Sequence, residues 1–537
     1  MPLRYTLVYN GLALKLPAAS VAALRAMPEV KGVRPDALLY TQLDHSVKYI
    51  EAPRVYGAQA ELSQFDDLRE GYEGQGINIA VIDTGIDWTN PMFGGDPTPP
   101  RLAVAPVSAA VPTNQKVVYY LPLTDIAAED GFGHGTHVAS TAAGYLAQHP
   151  GPDGLPNTSD DIRLHGVAPQ AKLMSYKVCS DIRSTPGSLG LPSVGGCENS
   201  DTIMALEDAM SPFTLTGQPK PVAHVINLSL GGAGGPDEPT AVACSNAALA
   251  GATVVAASGN SGPNDGTTGS PAAGRHVISV GASTHPGNSG SSYNVDEVGG
   301  LQGLHAELLD GSAGVPAGLT SNYVFCGVGD TPDQFPSSVR GKIALIARGS
   351  TVDADAAGTG LFANKAAQAA AAGAVAAVIY NNVDGELTGV TVYASTIPVF
   401  GISKTNGEYL KSAIGSTAAG AVSARQLKVS AGSATFEPDM AGFSSRGPVR
   451  GFGQVKPDVS APGVAVLAAV PPASLLGGLA AALENTPNYM HLDGTSMASP
   501  HTAGAAVLVR QAHLDWTADM VRTALVNTAT NLRSAAG

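Results

Sequence analysis

Three nearly continuous apolar runs, each ending in polar residues and a glycine turn, constrain the fold more than any other feature of this sequence. They cover residues 77–85, 225–232 and 253–260. Runs of this length without polar alternation are typical of strands buried on both faces, as in a parallel sheet. From about Gly76 such runs alternate with Ala-rich helical stretches. The sequence therefore predicts an α/β fold in which a doubly wound, mostly parallel sheet is flanked by helices.

Polar side chains with complementary chemistry stand at the ends of these elements. Asp83 closes the first run and Asn260 ends the third, whereas His134 and Ser496 each open a helix built of small residues. Open α/β sheets gather their sites at the carboxyl ends of the strands. A carboxylate, an imidazole and a hydroxyl brought together there can catalyse acyl transfer. A serine at a helix N-terminus is by itself most often an N-cap, so this interpretation depends on all the segments together.

The helix that begins near Ser496 also contains a proline, Pro500. A turn at Gly494 precedes the serine, and the pattern of small residues continues to Val509. Helices tolerate proline in their first turn, where an N–H would have no partner. We therefore expect Pro500 in the first turn, with Ser496 at the positive end of the helix dipole.

Three motifs in one chain order carry a family resemblance. The run that ends in Asp83 closes with Asp-Thr-Gly, His134 lies in Gly-His-Gly-Thr-His, and Ser496 lies in Gly-Thr-Ser-Met-Ala-Ser-Pro. With the order Asp, His, Ser, the chain resembles the subtilisin-like serine proteases, the subtilases of the peptidase S8 family. The resemblance implies that these three residues form the catalytic triad. It also favours His134 over His137 as the base, a choice that their spacing leaves open.

A substrate-binding cleft is implied by the same resemblance. It assigns Asn260 as an amide donor of the oxyanion hole. An extended substrate would pair as an added strand with the main chain that follows the second and third runs. The residues implied in this role are Ser229, Leu230, Gly231, Ala257, Ser258 and Gly259.

The function implied by the resemblance is that of a serine endopeptidase, which hydrolyses peptide bonds in proteins through an acyl-enzyme intermediate. No metal is required for that chemistry. Calcium that supports loops is compatible with the resemblance, but the sequence shows no Asp-x-Asp-x-Asp loop to indicate it. Two alternatives stay open: a catalytically silent peptide-binding homologue, and a serine esterase. An α/β-hydrolase esterase needs a Gly-x-Ser-x-Gly elbow and the order Ser, acid, His, whereas Ser496 comes last here.

The sheet pattern breaks after residues 276–282 and resumes near Met440. The intervening chain has a pattern of its own, with a strand within 341–349, an Ala-rich helix from Phe362 and further strands. This order resembles the protease-associated domain inserted in several secreted subtilases; an inert spacer is the alternative. The predicted domains are a catalytic domain in two parts and a β-rich α/β insertion between them, at residues 50–287, 436–537 and 288–435.

Residues 1–45 are expected to form a small α+β unit. Its predicted elements are strands at 5–9 and 11–16, a helix at 21–28 and a strand at 30–36. The order resembles the later part of an inhibitor I9-type propeptide, which implies an intramolecular inhibitor cleaved off between about Tyr40 and Tyr49. A small extension without that role is the alternative. Since the first segment has the pattern of the interior of a domain, we expect an incomplete N-terminus. The chain starts without a secretory signal, and the resemblance implies an extracellular protein.

The composition of the chain disfavours several other classes of protein. The chain of 537 residues is 44% hydrophobic and 14% charged, which is typical of a packed globule rather than a disordered chain. Its net charge of −14 disfavours nucleic acid and anionic membranes as partners but says little about peptide substrates. Protein or peptide substrates are what the family resemblance implies. No run of about 18 apolar residues indicates a membrane span.

Only four cysteines occur in the chain. Cys179 and Cys197 flank a loop rich in Gly, Ser and Pro, and a disulfide could close that loop; buried free thiols are the alternative. Cys244 and Cys326 give no spacing clue, and no zinc-binding pattern is present.

Overall fold

A computed structural model gives the fold. It describes residues 3–5, 11–13, 27, 46–56, 71–95, 113–124, 130–149, 162–180, 196–214, 216–285, 292–309, 312–349, 362–382, 387, 390, 392, 395–415, 421–431, 439–483, 488–530 and 532. The described strands, in chain order, are β1 (Leu3–Tyr5), β2 (Gly11–Ala13), β3 (Asn78–Asp83), β4 (Val117–Pro122), β5 (Ala147–His149), β6 (Ile162–Leu164), β7 (Lys172–Lys177), β8 (Val225–Leu228), β9 (Thr253–Ala257), β10 (Ile278–Ser283), β11 (Ser292–Glu297), β12 (His305–Leu308), β13 (Thr320–Phe325), β14 (Ile343–Ala347), β15 (Ala376–Tyr380), β16 (Val399–Ile402), β17 (Val422–Ala431), β18 (Val459–Pro462), β19 (Val466–Ala469) and β20 (Tyr489–Leu492). The described helices are α1 (Ser46–Tyr49), α2 (His134–Ala143), α3 (Asn199–Met210), α4 (Pro239–Leu249), α5 (Phe362–Ala371), α6 (Lys404–Ala413), α7 (Leu475–Leu483), α8 (Thr495–Ala512) and α9 (Ala518–Thr528).

The chain divides into two compact units, Met1–Thr41 and Gln42–Gly537. In the first, β1 and β2 pair antiparallel. The helix expected at 21–28 and the strand expected at 30–36 lie outside the described residues, apart from Met27. The similarity of this unit to a propeptide therefore stays a prediction.

In the second unit, seven of the described strands form one parallel sheet in the order β18-β10-β9-β8-β3-β7-β4. Successive side chains of β3 enter different cores: Val81 packs with helices α2 and α8 on one face, and Ile82 packs with α3 and α4 on the other. Strands buried on both faces must be apolar throughout, which is the pattern seen in the sequence. The predicted doubly wound, mostly parallel sheet is confirmed.

Helices α2 and α8 pack closely on one face of this sheet. A Cβ atom on Gly504 would lie 2.5 Å from Val167 Cβ and 2.8 Å from the Ala142 carbonyl oxygen, so only glycine fits at that point of α8. Small residues on both helices allow this approach, and it brings the first turns of the two helices to the carboxyl edge of the sheet.

Between β10 and β18 the chain leaves the sheet and builds a separate structure. Strands β11 to β17 close into a barrel in the order β11-β12-β16-β15-β14-β13-β17. The side chains of the barrel strands form two apolar clusters, and one of these clusters includes residues of α5. Its entry and exit are joined, since Thr284 N–H donates to the Asp439 carbonyl at 2.9 Å and Asp439 N–H to Thr284 Oγ1 at 3.0 Å. Whether this barrel is a protease-associated domain remains a prediction.

The start of the second unit is packed into its core. Val47 and Tyr56 are fully buried, and the Tyr56 hydroxyl donates to the Val167 carbonyl at 2.7 Å. Ser46 Oγ lies 2.9 Å from Nε2 of His501, a residue of α8. The expected processing interval, Tyr40 to Tyr49, thus overlaps residues that belong to the core of this unit.

Cys179 and Cys197 form a disulfide with an S–S distance of 2.05 Å, so the disulfide alternative holds for this pair. Cys244 and Cys326 are free and buried. Within the described ranges, no helix is long and apolar enough to cross a membrane.

Candidate active site

Asp83 and His134 meet at the carboxyl edge of the sheet. Asp83 is the last residue of β3 and is 2% exposed, and His134 is the first residue of α2. His134 Nδ1 lies 2.7 Å from Asp83 Oδ1, which also accepts the Thr84 N–H at 2.8 Å. A proton on Nδ1 faces the carboxylate, so this hydrogen bond selects the tautomer in which Nε2 can accept a proton. The side chain of His134 remains 21% exposed, which leaves the ring accessible to a substrate.

The charge state of His134 is set by opposing effects. Burial by itself lowers the pKa of the imidazole, whereas the charge and hydrogen bond of Asp83 and the charge of Asp130 raise it. The net result is a pKa above the ordinary value of histidine. The site therefore stabilises an imidazolium, the form that a general base takes after it has accepted a proton.

Ser496 lies in the first turn of α8 and forms a reciprocal pair with Ser229, the residue that follows β8. Ser496 Oγ donates to the Ser229 carbonyl at 2.9 Å, and Ser229 Oγ donates to the Ser496 carbonyl at 2.7 Å. Among the described residues, Ser496 makes no hydrogen bond to His134. The strand β8 and the helix α8 are thus joined at the serine itself.

The expected position of Pro500 was wrong. Helix α8 begins at Thr495, so Pro500 lies inside the helix, in its second turn. Proline there has no N–H to donate to the carbonyl four residues earlier, which is that of Ser496. The hydroxyl of Ser229 donates to that carbonyl instead, and this replacement explains how the proline is accommodated.

Asn260 is held with its amide in one orientation. Its Oδ1 accepts hydrogen bonds from both the N–H and the hydroxyl of Thr495, each at 2.9 Å. An oxygen bound by a backbone N–H cannot exchange places with the amide nitrogen, so Nδ2 is the group left for a ligand. The preceding Gly259 has a φ of 106°, and its N–H donates to Thr495 Oγ1 at 3.2 Å.

The buried carboxylate of Asp130, which sequence reasoning missed, connects the end of strand β3 to the start of helix α2. Asp130 accepts hydrogen bonds from Gly133 N–H and the Thr84 hydroxyl at 2.7 and 2.8 Å, and from the N–H and hydroxyl of Thr136 at 2.8 and 2.7 Å. Thr84 Oγ1 in turn accepts the Gly135 N–H at 2.9 Å. An acidic residue just before a helix that starts with His134 was the available signal, because carboxylates favour helix N-termini.

His137 points away from this site. It is fully buried, and its Nε2 lies 2.9 Å from the Val466 carbonyl and 3.0 Å from the Met490 carbonyl, so it joins α2 to the antiparallel pair of strands β19 and β20. Burial, together with the charge of His134, lowers its pKa to about 3. A ring that stays neutral and is bonded in this way has a structural role.

The expected substrate-binding residues follow two neighbouring strands, β8 and β9, which pair in parallel. Of the first group, Ser229 is buried, Leu230 is half-buried and Gly231 is exposed. In the second, Ala257 and Ser258 are buried and only Gly259 is partly accessible. Across the described part of the chain, no group of three or more His, Cys, Asp or Glu side chains could hold a metal ion.

Comparison with known proteins places this chain in a family. The sequence model of the subtilase family, peptidase S8, matches residues 74–537. The chain therefore belongs to the subtilase family. It is 31% identical to the minor extracellular protease Vpr of Bacillus subtilis (strain 168), over 99% of this chain and 58% of that protein. It is 28% identical to the subtilisin-like protease SBT5.4 of Arabidopsis thaliana, over 97% of this chain and 65% of that protein, so it spans less than two thirds of these relatives' length.

Solved structures that match the chain include the S41 psychrophilic protease, at 21% identity and a TM-score of 0.39, covering 85% of this chain and 84% of that chain. Another is the psychrophilic subtilisin-like protease Apa1 from Pseudoalteromonas sp. AS-11. It shows 16% identity and a TM-score of 0.38, covering 93% of this chain and 94% of that chain.

Proposed function

We propose that this protein is a serine endopeptidase with Asp83, His134 and Ser496 as its catalytic triad. The observation that carries the proposal is the 2.7 Å hydrogen bond between Asp83 Oδ1 and His134 Nδ1, at the sheet edge to which Ser496 is joined through Ser229. Membership of the subtilase family and the protease relatives support it.

In the proposed reaction, Ser496 Oγ attacks the carbonyl carbon of a peptide bond while its proton passes to His134 Nε2. Asp83 keeps the ring in the required tautomer and stabilises the imidazolium. The C–N bond of the tetrahedral intermediate then breaks, and His134 returns the proton to the departing amine. Water then attacks the resulting ester while His134 Nε2 accepts its proton. The bond between the acyl carbon and Ser496 Oγ breaks, and His134 returns the proton to Ser496 Oγ.

Attack requires the Ser496 hydroxyl to leave the Ser229 carbonyl and turn towards His134. Catalytic hydrogen bonds are often absent or long without substrate and form in its complex. In the proposal the hydroxyl turns by a rotation about χ1 of Ser496, while the backbone at the start of α8 stays held through Ser229 Oγ and Asn260.

The negative charge of the intermediate would be stabilised by two N–H donors. Asn260 Nδ2 is the free end of an amide whose oxygen is anchored on Thr495. Ser496 N–H lies in the first turn of α8, where the helix offers no intrahelical acceptor. Such donors gain strength where charge develops, and loss of one typically reduces turnover by about 10²–10³-fold.

Extended protein or peptide substrates would bind beside residues 229–231 and 257–259 through main-chain hydrogen bonds. The apolar surroundings of Leu230 and Ala257 favour apolar side chains at the residue before the cleaved bond. In the same proposal the N-terminal unit acts as an inhibitory propeptide, and the barrel of residues 288–435 affects substrate access. Secretion is supported by the extracellular relative.

A fluorophosphonate probe tests the proposal directly. The wild-type protein should be labelled and should cleave a peptide library, whereas Ser496→Ala should do neither. Absence of labelling in wild-type protein whose N-terminal unit has been cleaved off would indicate a silent peptide-binding homologue. Labelling with turnover of ester but not peptide substrates would indicate an esterase, and either result overturns the proposal.

A further inference from the structure

The chain that returns from the barrel to the sheet, residues 439–448, passes directly beside the loop that carries Asn260. Ser445 N–H donates to the Gly259 carbonyl at 2.9 Å. Ser445 Oγ accepts the Ser261 N–H at 3.2 Å. The residues on both sides of Asn260 are therefore bonded to one serine, although that serine lies far away in the sequence.

The contact between the two segments leaves little room for movement. A Cβ atom on Gly259 would lie 2.9 Å from Ser445 Oγ, and one on Gly262 would lie 1.9 Å from the Ser444 carbonyl oxygen. The Gly262 N–H also donates to the Phe443 carbonyl at 2.8 Å. Ser445 itself is fully buried, so its hydroxyl has no solvent to replace the bond to the loop.

The side chain of Asn260 is anchored through its oxygen, on Thr495, and the position of Nδ2 then depends on where the backbone of residue 260 lies. Two contacts to Ser445 fix that backbone. We propose that Ser445 is a positioning residue of the oxyanion hole, which holds the Asn260 backbone so that Nδ2 meets the developing negative charge. This inference rests on the proposed function and adds to it a residue outside the triad and the cleft.

Ser445 would act on the transition state more than on substrate binding. The oxyanion appears only after attack, so a displaced donor weakens stabilisation of the intermediate and leaves the ground-state contacts of the peptide unchanged. Ser445→Ala should therefore lower kcat by about 10-fold with little change in KM, since a donor displaced by a fraction of an ångström is weakened rather than lost.

Ser444 provides a matched control. It is also fully buried, and its Oγ also accepts a backbone N–H, that of Ala282 at 3.0 Å. Ala282 belongs to β10 and not to the Asn260 loop. Ser444→Ala thus removes a hydrogen bond of the same kind from the neighbouring position, and a general loss of stability would appear in both variants.

The experiment measures kcat and KM of the full chain on a fluorogenic peptide, with thermal unfolding of each variant, for S444A, S445A, N260A and N260A/S445A. We expect S444A and S445A to lose similar stability, S445A alone to lose kcat, and S445A to have almost no further effect in the N260A background. If S445A does not fold, Ser445→Cys, with its weaker acceptor, replaces it in the same comparison.

Equal kcat values for S444A and S445A, or an undiminished effect of S445A in the absence of the Asn260 amide, would overturn this inference while the protease itself remained established. A wild-type protein without peptide turnover and without Ser496-dependent labelling would instead overturn the proposed function, and this inference with it. The two failures are therefore distinguishable.

Discussion

The charge of His134 depends on two carboxylates that differ in their contact with the ring. Asp83 is hydrogen-bonded to Nδ1, whereas Asp130 acts on the ring through its charge alone. The oxygens of Asp130 accept hydrogen bonds from Gly133, Thr84 and Thr136. Both raise the pKa of the imidazole against the effect of burial. The pH dependence of the enzyme should therefore respond to Asp130 without any change in the triad.

Asp130→Asn should move the acidic limb of kcat/KM to lower pH. A general base must be neutral, so kcat/KM falls as the pH drops through the pKa of His134. Asp130 raises that pKa by its charge, and its neutralisation lowers it. A pH profile of kcat/KM measures the shift. Thr136→Val, which removes a hydroxyl bound to Asp130 but keeps the charge, is the control; an acidic limb that stays in place in D130N contradicts the assignment.

At the scale of the element, helix α8 depends on a bond from outside the helix. The Ser496 carbonyl would ordinarily accept the N–H of residue 500, and Ser229 Oγ takes the place of that donor. The proline and the serine that follows β8 are thus coupled, although sequence reasoning treated Pro500 as a first-turn residue. That error arose because Thr495, and not a later residue, begins the helix, and the bond from Ser229 cannot be read from local sequence.

Ser229→Ala should destabilise the protein by about 1–2 kcal/mol, since it leaves the Ser496 carbonyl without its donor. Pro500→Ala supplies a helical N–H for that carbonyl, so the same substitution should be less destabilising in the P500A background. Chemical unfolding of inactive S496A variants, which cannot digest themselves, measures both values.

Ser140→Ala is the control for this cycle, because it removes a hydroxyl that accepts the Ala469 N–H elsewhere on the same face of the sheet. Its effect should be the same in the presence and in the absence of the Pro500→Ala substitution. If Pro500→Ala changes the effect of both serine substitutions equally, the coupling between Ser229 and Pro500 does not exist.

The sequence predicted the central sheet well because strands buried on both faces are apolar throughout, and such runs are visible without alignment. The end of β3 at Asp83 and the start of α2 at His134 were both expected and both observed. The closure of the barrel was not expected, since it depends on the pairing of β17 with β11 and β13 and of β12 with β16, strands that are distant along the chain. Ser445 was missed because its partners Gly259 and Ser261 are distant along the chain. Asp130 was missed although Gly133 and Thr136 lie close to it in sequence, because a carboxylate before a helix is common and does not by itself indicate a functional site.

At the scale of the whole molecule, three buried histidines connect separate parts of the larger unit and remain neutral. Burial lowers the pKa of His137 to about 3 and those of His165 and His501 to about 4, so each must be protonated on unfolding in acid. His501 Nε2 accepts a hydrogen bond from the Ser46 hydroxyl, and His501 Nδ1 donates to the Met497 carbonyl at 2.8 Å. The bond to Ser46 joins the start of this unit to α8. Acid should weaken all of these connections together.

The free energy of unfolding should therefore fall as the pH drops from about 6.5, where histidine in the unfolded chain begins to bind a proton, towards about 4, where the folded His165 and His501 also bind one. Each of these two residues should lower the free energy of unfolding by on the order of 3 kcal/mol across that pH interval. Urea unfolding of the S496A protein at a series of pH values measures the slope. His501→Gln keeps a donor and an acceptor but binds no proton, so it should reduce the slope; an unchanged slope in H501Q would show that the acid sensitivity arises from other groups.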